Sequence, residues 1–462
     1  MDDKVKTAET RPENIKVVEN ATCTFCGCVC DDMVLTVDMD QKKITKAKNA
    51  CVLGRAWFAE HVHEEGVPPA LIDGKPVPVE TAIEEAARIL VEARFPITYG
   101  LSDTTCEAQR QAVAISDMVR GNVDTTTSVC HGPSGLAFQG VGESTMTLGE
   151  VKNRADLVIY WGGNPAESHP RHFGRYAVTP KGMFTPNGKK DRYVVMVDVR
   201  RTPSAPAANL FLQVKPGKDF ELLWALRAAV RERHMDPGIE QITGISLATI
   251  TDLAQRMKSC RYGVLFFGMG LTMTRGRHFN SGAVLALATD LNEFTHFVAK
   301  PVRGHGNVTG ADNVVSWQTG FPFGVNFSRG FPRFNPGEFT TVDTLSRGDA
   351  DAALIIASDP AANFPKAAIE HLGRIPVISL DTKETATSRL ARVAFRTATY
   401  GISVAGTVYR MDDVPITLRT AFDSDLPSDE DILTALRARI QALLVARGQA
   451  AKLSSAATRT AA

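Results

Sequence analysis

At about 150 residues per domain, 462 residues give length for roughly three domains, and 44% hydrophobic residues are ample for buried cores, which excludes a disordered or fibrous protein. Its 52 basic and 51 acidic side chains leave a formal charge of +1, with no surplus to neutralise a nucleic-acid backbone or an anionic membrane. No run approaches the ~18 consecutive apolar residues of a membrane span, and the opening MDDKVKTAETRPENIKVVEN lacks an apolar signal core and a twin-arginine pair, so a soluble, cytoplasmic protein with neither nucleic-acid nor membrane partner is expected.

In chain order, a polar leader to about Asn20 is followed by a cysteine-rich segment to about Cys51. Eight cysteines are too few for a disulfide scaffold, and Cys23, Cys26, Cys28, Cys30 and Cys51 crowd this segment, leaving Cys106, Cys130 and Cys260 elsewhere. Clustering of this kind points to metal. Cys23-x2-Cys26-x3-Cys30, then Cys51 after twenty residues, supplies four thiolates from two loops. Four thiolates suit tetrahedral zinc or an iron-sulfur cube, and softness alone does not separate the two. Zinc sites usually pair their ligands as two Cys-x2-Cys knuckles, so three ligands in one loop and one alone favour the cluster. Cys28, between two ligands, reads as a packing residue. The alternation in MVLTVDM predicts a short strand within this unit.

From about residue 80, helical stretches such as TAIEEAARILVEA alternate with the short apolar runs PITYGL, DLVIYWGG, YVVMVDVR, YGVLFFGMG, DAALIIASDP and PVISLDT. Strands interleaved with helices predict doubly wound, mostly parallel α/β sheets. Each run leads into Gly, Asn, Asp or Arg residues, and such sheets bind ligands beyond the carboxyl ends of their strands, so the site is expected in those loops. Gly304 to Pro336, rich in Gly, Pro, Asn and aromatics, reads as a long ordered loop region, and the end, LLVARGQAAKLSSAATRTAA, as a frayed helix and tail. No short-period repeat is present. His61 with His63, and His169 with His172, are weak candidate metal pairs. The chain has no G-x-x-x-x-G-K-[ST], and Gly268-Met269-Gly270 lacks the third glycine of a dinucleotide fingerprint, which disfavours ATP and NAD as principal ligands.

The cysteine set is followed in order by SVCHGPSG, IYWGGNPAESHP, VDVRRTPSA, FGMG, PVRGHGNVTGAD and GTVYRMDDVPI. This succession, from Cys23 to about Ile416, resembles the molybdopterin-dependent formate dehydrogenase family, most closely the B subunits of tungsten- or molybdenum-dependent formylmethanofuran dehydrogenases. The resemblance implies a [4Fe-4S] cluster on Cys23, Cys26, Cys30 and Cys51, beside two pterin guanine dinucleotides that hold tungsten or molybdenum. It places Cys130 on the metal, His131 as the adjacent catalytic histidine and Arg303 in the formate pocket. A soft thiolate, a group titrating near neutral pH and a planar cation are the residue types that a soft metal, a released proton and a carboxylate require. Asn164, Glu167, Asp198, Arg200, Lys215, Gly268, Gly270 and Asp359 fall in segments resembling the family's pterin-dinucleotide contacts.

The implied organisation is an N-terminal cluster segment (1–70), molybdopterin oxidoreductase α/β domains (71–420) and a C-terminal helix and tail (421–462), without the C-terminal β-barrel of full-length formate dehydrogenases. Around the last cluster cysteine, Leu53 stands where the family usually has lysine, and Arg55 is the nearby candidate for the same gap. The expected activity is interconversion of carbon dioxide and formate within one-carbon metabolism and methanogenesis. The implied partners within a multisubunit complex are an amidohydrolase (the A subunit) that formylates methanofuran, the C subunit, a small β-barrel protein over the pterins (the D subunit), and ferredoxin-like iron-sulfur subunits. A stand-alone formate dehydrogenase is disfavoured by the expected absence of the barrel. The alternative is the non-redox, structural B subunit of a formyltransferase/hydrolase complex; retention of every redox ligand argues against it, because a scaffold has little physical reason to keep reactive thiolates.

Overall fold

The computed structural model describes residues 14–62 and 65–460, with side chains through Gly448. Three antiparallel strands, Ile15–Cys23, Cys30–Asp38 and Lys43–Lys48, form an N-terminal sheet. The second is the strand expected from MVLTVDM. The first corrects the reading of a polar leader to Asn20: its outer positions are solvated, and only Val18, Ala21, Thr22 and Cys23 are buried, so composition concealed the pairing.

All six apolar runs form parallel strands. A five-stranded, wholly parallel sheet has the order Leu210–Gln213, Tyr193–Asp198, Leu157–Trp161, Tyr262–Phe267, His296–Pro301. A nine-stranded sheet carries a parallel centre, in the order Asn122–Thr125, Pro96–Gly100, Ala352–Ile356, Val377–Asp381, Val393–Arg396, flanked by short antiparallel strands. The chain lays down the first two central strands, builds the smaller parallel sheet, and then returns. In each sheet the order reverses at one place, between Leu157–Trp161 and Tyr262–Phe267 and between Pro96–Gly100 and Ala352–Ile356. Open α/β sheets bind their ligands at such reversals, outside the carboxyl ends of the strands.

Gly304–Pro336 differs from the expected loop. It contains the helix Val308–Thr319 and the short strands Val325–Asn326 and Arg333–Phe334. Asn307, in the left-handed conformation, starts the helix, and Val308, Ala311, Val314 and Val315 are buried at helical spacing. The apolar stripe escapes notice because Thr309 and Asp312 are buried beside it. The C-terminal helix Asp429–Thr460 contributes Ile432, Leu433, Leu436 and Ile440 to the same core as Ala86 and Leu90 of the helix Val79–Glu92. Its first turns are therefore core, ahead of the segment LLVARGQAAKLSSAATRTAA. No helix among the described residues is long and apolar enough to cross a membrane.

Candidate active site

Loops from both strand-order reversals line one cleft of about 930 Å3, at the upper end of the small-ligand range. On the nine-stranded side it is walled by Ser102, Asp103, Ala357, Ser358 and Asp359, on the other by Met269, Met273, Arg277 and His278, and Cys130 lies in its wall. At the smaller sheet's reversal the loops after Trp161 and Phe267 touch backbone to backbone. Gly270 N–H donates to the Gly162 carbonyl at 2.9 Å. A Cβ on Gly270 would lie 2.7 Å from that oxygen, and Gly162, at φ +58°, would drive its own Cβ to 2.5 Å from the Leu271 nitrogen. Glycine is required on both sides of this contact.

Cys130 and His131 occupy the joint between a short 3-10 turn, Thr126–Val129, and the helix Gly132–Val141. Burial pushes the Cys130 thiol up to about 11, opposed by the Arg303 guanidinium. Burial first, then the same guanidinium, push His131 down to about 3. One cation thus acts on both side chains. His131 Nδ1 shares a 3.1 Å hydrogen bond with the Ser134 hydroxyl, whereas Nε2 is buried without a partner among the described residues. At about 3 the ring is neutral near pH 7, which corrects the expectation of a group titrating there, and the Ser134 hydroxyl, able to donate or accept, anchors it in either tautomer. Arg303 Nη2 donates to Thr127 Oγ1 at 2.6 Å and to the Asp312 carboxylate. Burial works against the Arg303 charge, and Asp312 more than offsets it.

The cysteines converge as the spacing expects. Cys23 and Cys30 face each other across paired strands, and Cys51 caps the helix Val52–Glu60, its sulfur accepting from Gly54 N–H at 3.4 Å. With Cys26 they line a single cavity, which Cys28, His169, Pro170 and Arg171 complete. A Cβ on Gly54 would lie 3.0 Å from the Cys23 sulfur and 3.9 Å from that of Cys51. Among the described residues no three His, Cys, Asp or Glu side chains close on a single-ion position. Four thiols around one cavity suit an iron-sulfur cluster or tetrahedral zinc, and the three-plus-one spacing favours the cluster.

Cys28 is buried in the wall of the same cavity, and its thiol first, with Arg175 and Arg171 behind it, brings Cys30 down to about 6 against its burial. Arg55 is exposed and outside the cavity wall; the nearby cations are Arg171 and Arg175, paired with Asp32 and Asp31. The cysteine loop is fastened to the Arg303 loop: Gly27 N–H donates to the Gly304 carbonyl at 3.0 Å, and Cys26 bridges His305.

The remaining sequence-expected residues divide. Asn164 donates to Glu167 at 2.5 Å and accepts from Ser204 at 2.6 Å; Asp198 ends a strand of the five-stranded sheet, and Arg200, Gly268 and Gly270 follow strands of it. Lys215 is tied to the Gln241 carbonyl at 2.7 Å. Asp359 reaches the cleft wall, yet its carboxylate accepts from Ala386 N, Thr387 N and Thr387 Oγ1, so in this structure it caps a helix. His169 and His172 do not form a metal pair: His169 bonds Ser168 and the Arg303 carbonyl, and His172 bonds Tyr160. His61 bonds the Trp57 carbonyl, and His63 lies outside the described residues. Sequence reasoning missed Asp312, Asp103 and His305. His305 and Asp312 lie within PVRGHGNVTGAD, and Asp103 follows PITYGL, so the strand-end rule reaches Asp103, but no motif marks Asp312 as facing Arg303.

The B subunit of the tungsten-containing formylmethanofuran dehydrogenase 2 of Methanocaldococcus jannaschii is 44% identical over 442 residues, covering 93% of this chain and 100% of the relative. That of Methanococcus maripaludis is 43% identical over 433 residues, covering 91% and 98%. The chain belongs to the family of formylmethanofuran dehydrogenase B subunits. More distant homologues are formate dehydrogenase-like oxidoreductases. No protein-family model matches the chain. A chain of the formyltransferase/hydrolase complex FhcABCD of Methylorubrum extorquens, solved with methylofuran, superposes with a TM-score of 0.66 at 24% identity, covering 81% of this chain and 99% of its own. At that identity the likeness extends to the fold alone: the mixed α/β architecture with parallel sheets is common to both, whereas the formylmethanofuran dehydrogenase relatives match along nearly the whole sequence.

Proposed function

We propose that this chain is the redox subunit of a cytoplasmic formylmethanofuran dehydrogenase, interconverting carbon dioxide and formate and exchanging the formate with an amidohydrolase partner that acts on methanofuran. The observation that carries this reading is the meeting of Cys130, in the cleft wall, with the buried His131 and Arg303, whose charge acts on both neighbours. The residues fit the groups the family implies. Tungsten or molybdenum on two pterin guanine dinucleotides would supply the two-electron chemistry, with the Cys130 sulfur as protein ligand.

Asn164, Glu167, Asp198, Arg200, Lys215, Gly268, Gly270 and Asp359 would hold the dinucleotides at the two strand-order reversals, and Cys23, Cys26, Cys30 and Cys51 a [4Fe-4S] cluster. Arg303 holds the formate carboxylate, since a guanidinium stays charged at any working pH and presents paired donors. His131, neutral near pH 7, would take up at Nε2 the proton released from formate and pass it on at once, with Ser134 keeping the ring in place. Burial of these side chains excludes water from the reacting carbon. A ferredoxin-like protein would approach over Arg171 and Arg175, which border a surface recess next to the cysteine cavity. The C subunit and a barrel protein covering the pterins complete the proposed assembly.

The test is elemental analysis of the anaerobically purified complex together with Cys130→Ser. An alkoxide is a much harder ligand than a thiolate. The variant should keep its iron, alter the tungsten or molybdenum coordination, and lose carbon dioxide/formate interconversion, while the partner still condenses supplied formate. If the parent holds no pterin metal and Cys130→Ser leaves every activity unchanged, the chain is a structural member of a formyltransferase/hydrolase complex instead.

A further inference from the structure

The arginine assigned to the substrate carboxylate already faces a carboxylate of its own chain. Asp312 extends from the helix Val308–Thr319 into the space between Arg303 and the end of the strand Asn122–Thr125. Thr125 Oγ1 donates to its Oδ1 at 2.9 Å, Thr127 Oγ1 donates to its Oδ2 at 2.9 Å, and Arg303 Nη2 donates to that same Oδ2. Every partner of Asp312 is a donor, which is the environment of an ionised carboxylate. Both charged residues are buried, Arg303 7% and Asp312 9% exposed, so the pair is weakly screened. Both Arg303 contacts use Nη2; among the described residues no protein group accepts from Nε or Nη1.

We propose that Asp312 is a positioning and specificity residue that sets how long formate stays on Arg303. Together with Thr127 it fixes one nitrogen of the guanidinium and leaves the other edge for a substrate carboxylate. Its negative charge offsets part of the attraction that would otherwise hold that second carboxylate, so formate made from carbon dioxide leaves for the partner. An uncompensated buried arginine would bind formate bidentately and release it slowly. Carbon dioxide carries no net charge and is little affected by the same balance. The inference rests on the reading that Arg303 lies in the formate pocket.

The experiment is equilibrium dialysis of radiolabelled formate against the assembled complex without an electron acceptor, with steady-state kinetics in parallel, for the parent, Asp312→Asn, Asp312→Ser and Arg303→Lys. Asp312→Asn keeps the side-chain shape and removes the charge; it is expected to lower both the formate Kd and the formate KM about tenfold, and to slow carbon dioxide reduction as release becomes limiting. Asp312→Ser should tighten formate in the same direction and decides the matter if the asparagine variant does not assemble. Metal content must match the parent. A purely structural Asp312 would lower turnover with formate affinity unchanged or weakened, and that result in a metal-replete variant overturns the inference. Arg303→Lys separates the two readings. If it weakens formate binding but neither Asp312 variant tightens it, only the inference fails; if it leaves formate binding untouched, Arg303 is not in the pocket and the functional reading fails with it.

Discussion

His169 Nε2 donates a 2.8 Å hydrogen bond to the backbone carbonyl of Arg303, and the same residue lines the cysteine cavity. A carbonyl only accepts, so Nε2 carries the hydrogen; the single hydrogen of the Ser168 hydroxyl is shared between Nδ1 at 2.8 Å and the Asn164 carbonyl at 3.0 Å. Burial pushes this histidine down to about 4, which keeps it neutral and in that single tautomer. His169→Leu should leave the Arg303 carbonyl without a donor, at a cost of about 1–3 kcal/mol, and lower formate turnover about tenfold or more. Glutamine, which can donate, should restore most of it. Equal turnover in both variants at equal iron content would show that the bond does not position Arg303.

Cys51 has two tasks that two substitutions separate. Cys51→Ala removes a cluster ligand and the acceptor for Gly54 N–H, whereas Cys51→Ser keeps an acceptor at the helix start. Both should lose the cluster signal in electron paramagnetic resonance, and only alanine should add a further loss of about 0.5–2 kcal/mol from the cap. Stoichiometric zinc without iron in the parent would remove the cluster altogether.

Gly270→Ala puts a methyl between two backbones, 2.7 Å from the Gly162 oxygen and 3.0 Å from its Cα, with no flexible side chain to give way. The loops at the reversal of the five-stranded sheet must part, at about 1–3 kcal/mol. Thermal denaturation should show a lower Tm and pterin analysis a lower content. Gly140→Ala, whose added methyl meets nothing within 4 Å, is the control and should change neither.

His172 supplies the pH dependence. Burial pushes it down to about 3, its Nδ1 is bonded to the Tyr160 hydroxyl at 2.8 Å, and its Nε2 is buried without a partner among the described residues. The unfolded chain takes up this proton below about pH 6.5 while the folded chain does not. Stability is therefore full above that pH and falls as the pH drops toward 3. Urea midpoints at pH 7.5 and 5 should differ less for His172→Gln, which keeps a partner for Tyr160. An unchanged difference would mean that His172 is protonated in the folded protein.

The sheets were legible because each central strand is buried on both faces and therefore written as an uninterrupted apolar run, as in DLVIYWGG and DAALIIASDP. The cysteine cavity was legible because cysteine is rare and its spacing carries geometry. The strand Ile15–Cys23 was hidden by its solvated positions, and the helix Val308–Thr319 by glycines and buried polar residues that imitate a loop. Asp312 and His169 were hidden for a different reason. Asp312 lies nine residues from Arg303 and His169 lies 134 residues from it, and ordinary aspartates and histidines show nothing of their partners until the chain folds back.

The interleaving of the two parallel sheets orders events during synthesis. Pro96–Gly100 hydrogen-bonds to Ala352–Ile356, a partner about 250 residues later in the chain. At about 5–20 residues per second, one edge of that central strand waits roughly 12–50 s after emerging from the ribosome. The five-stranded sheet, contained within residues 157–301, can close on itself in that interval. The cleft cannot, because one of its walls, from Ala357 to Pro365, follows Ile356. A ligand that needs every wall of that cleft must therefore wait until the chain has passed Pro365.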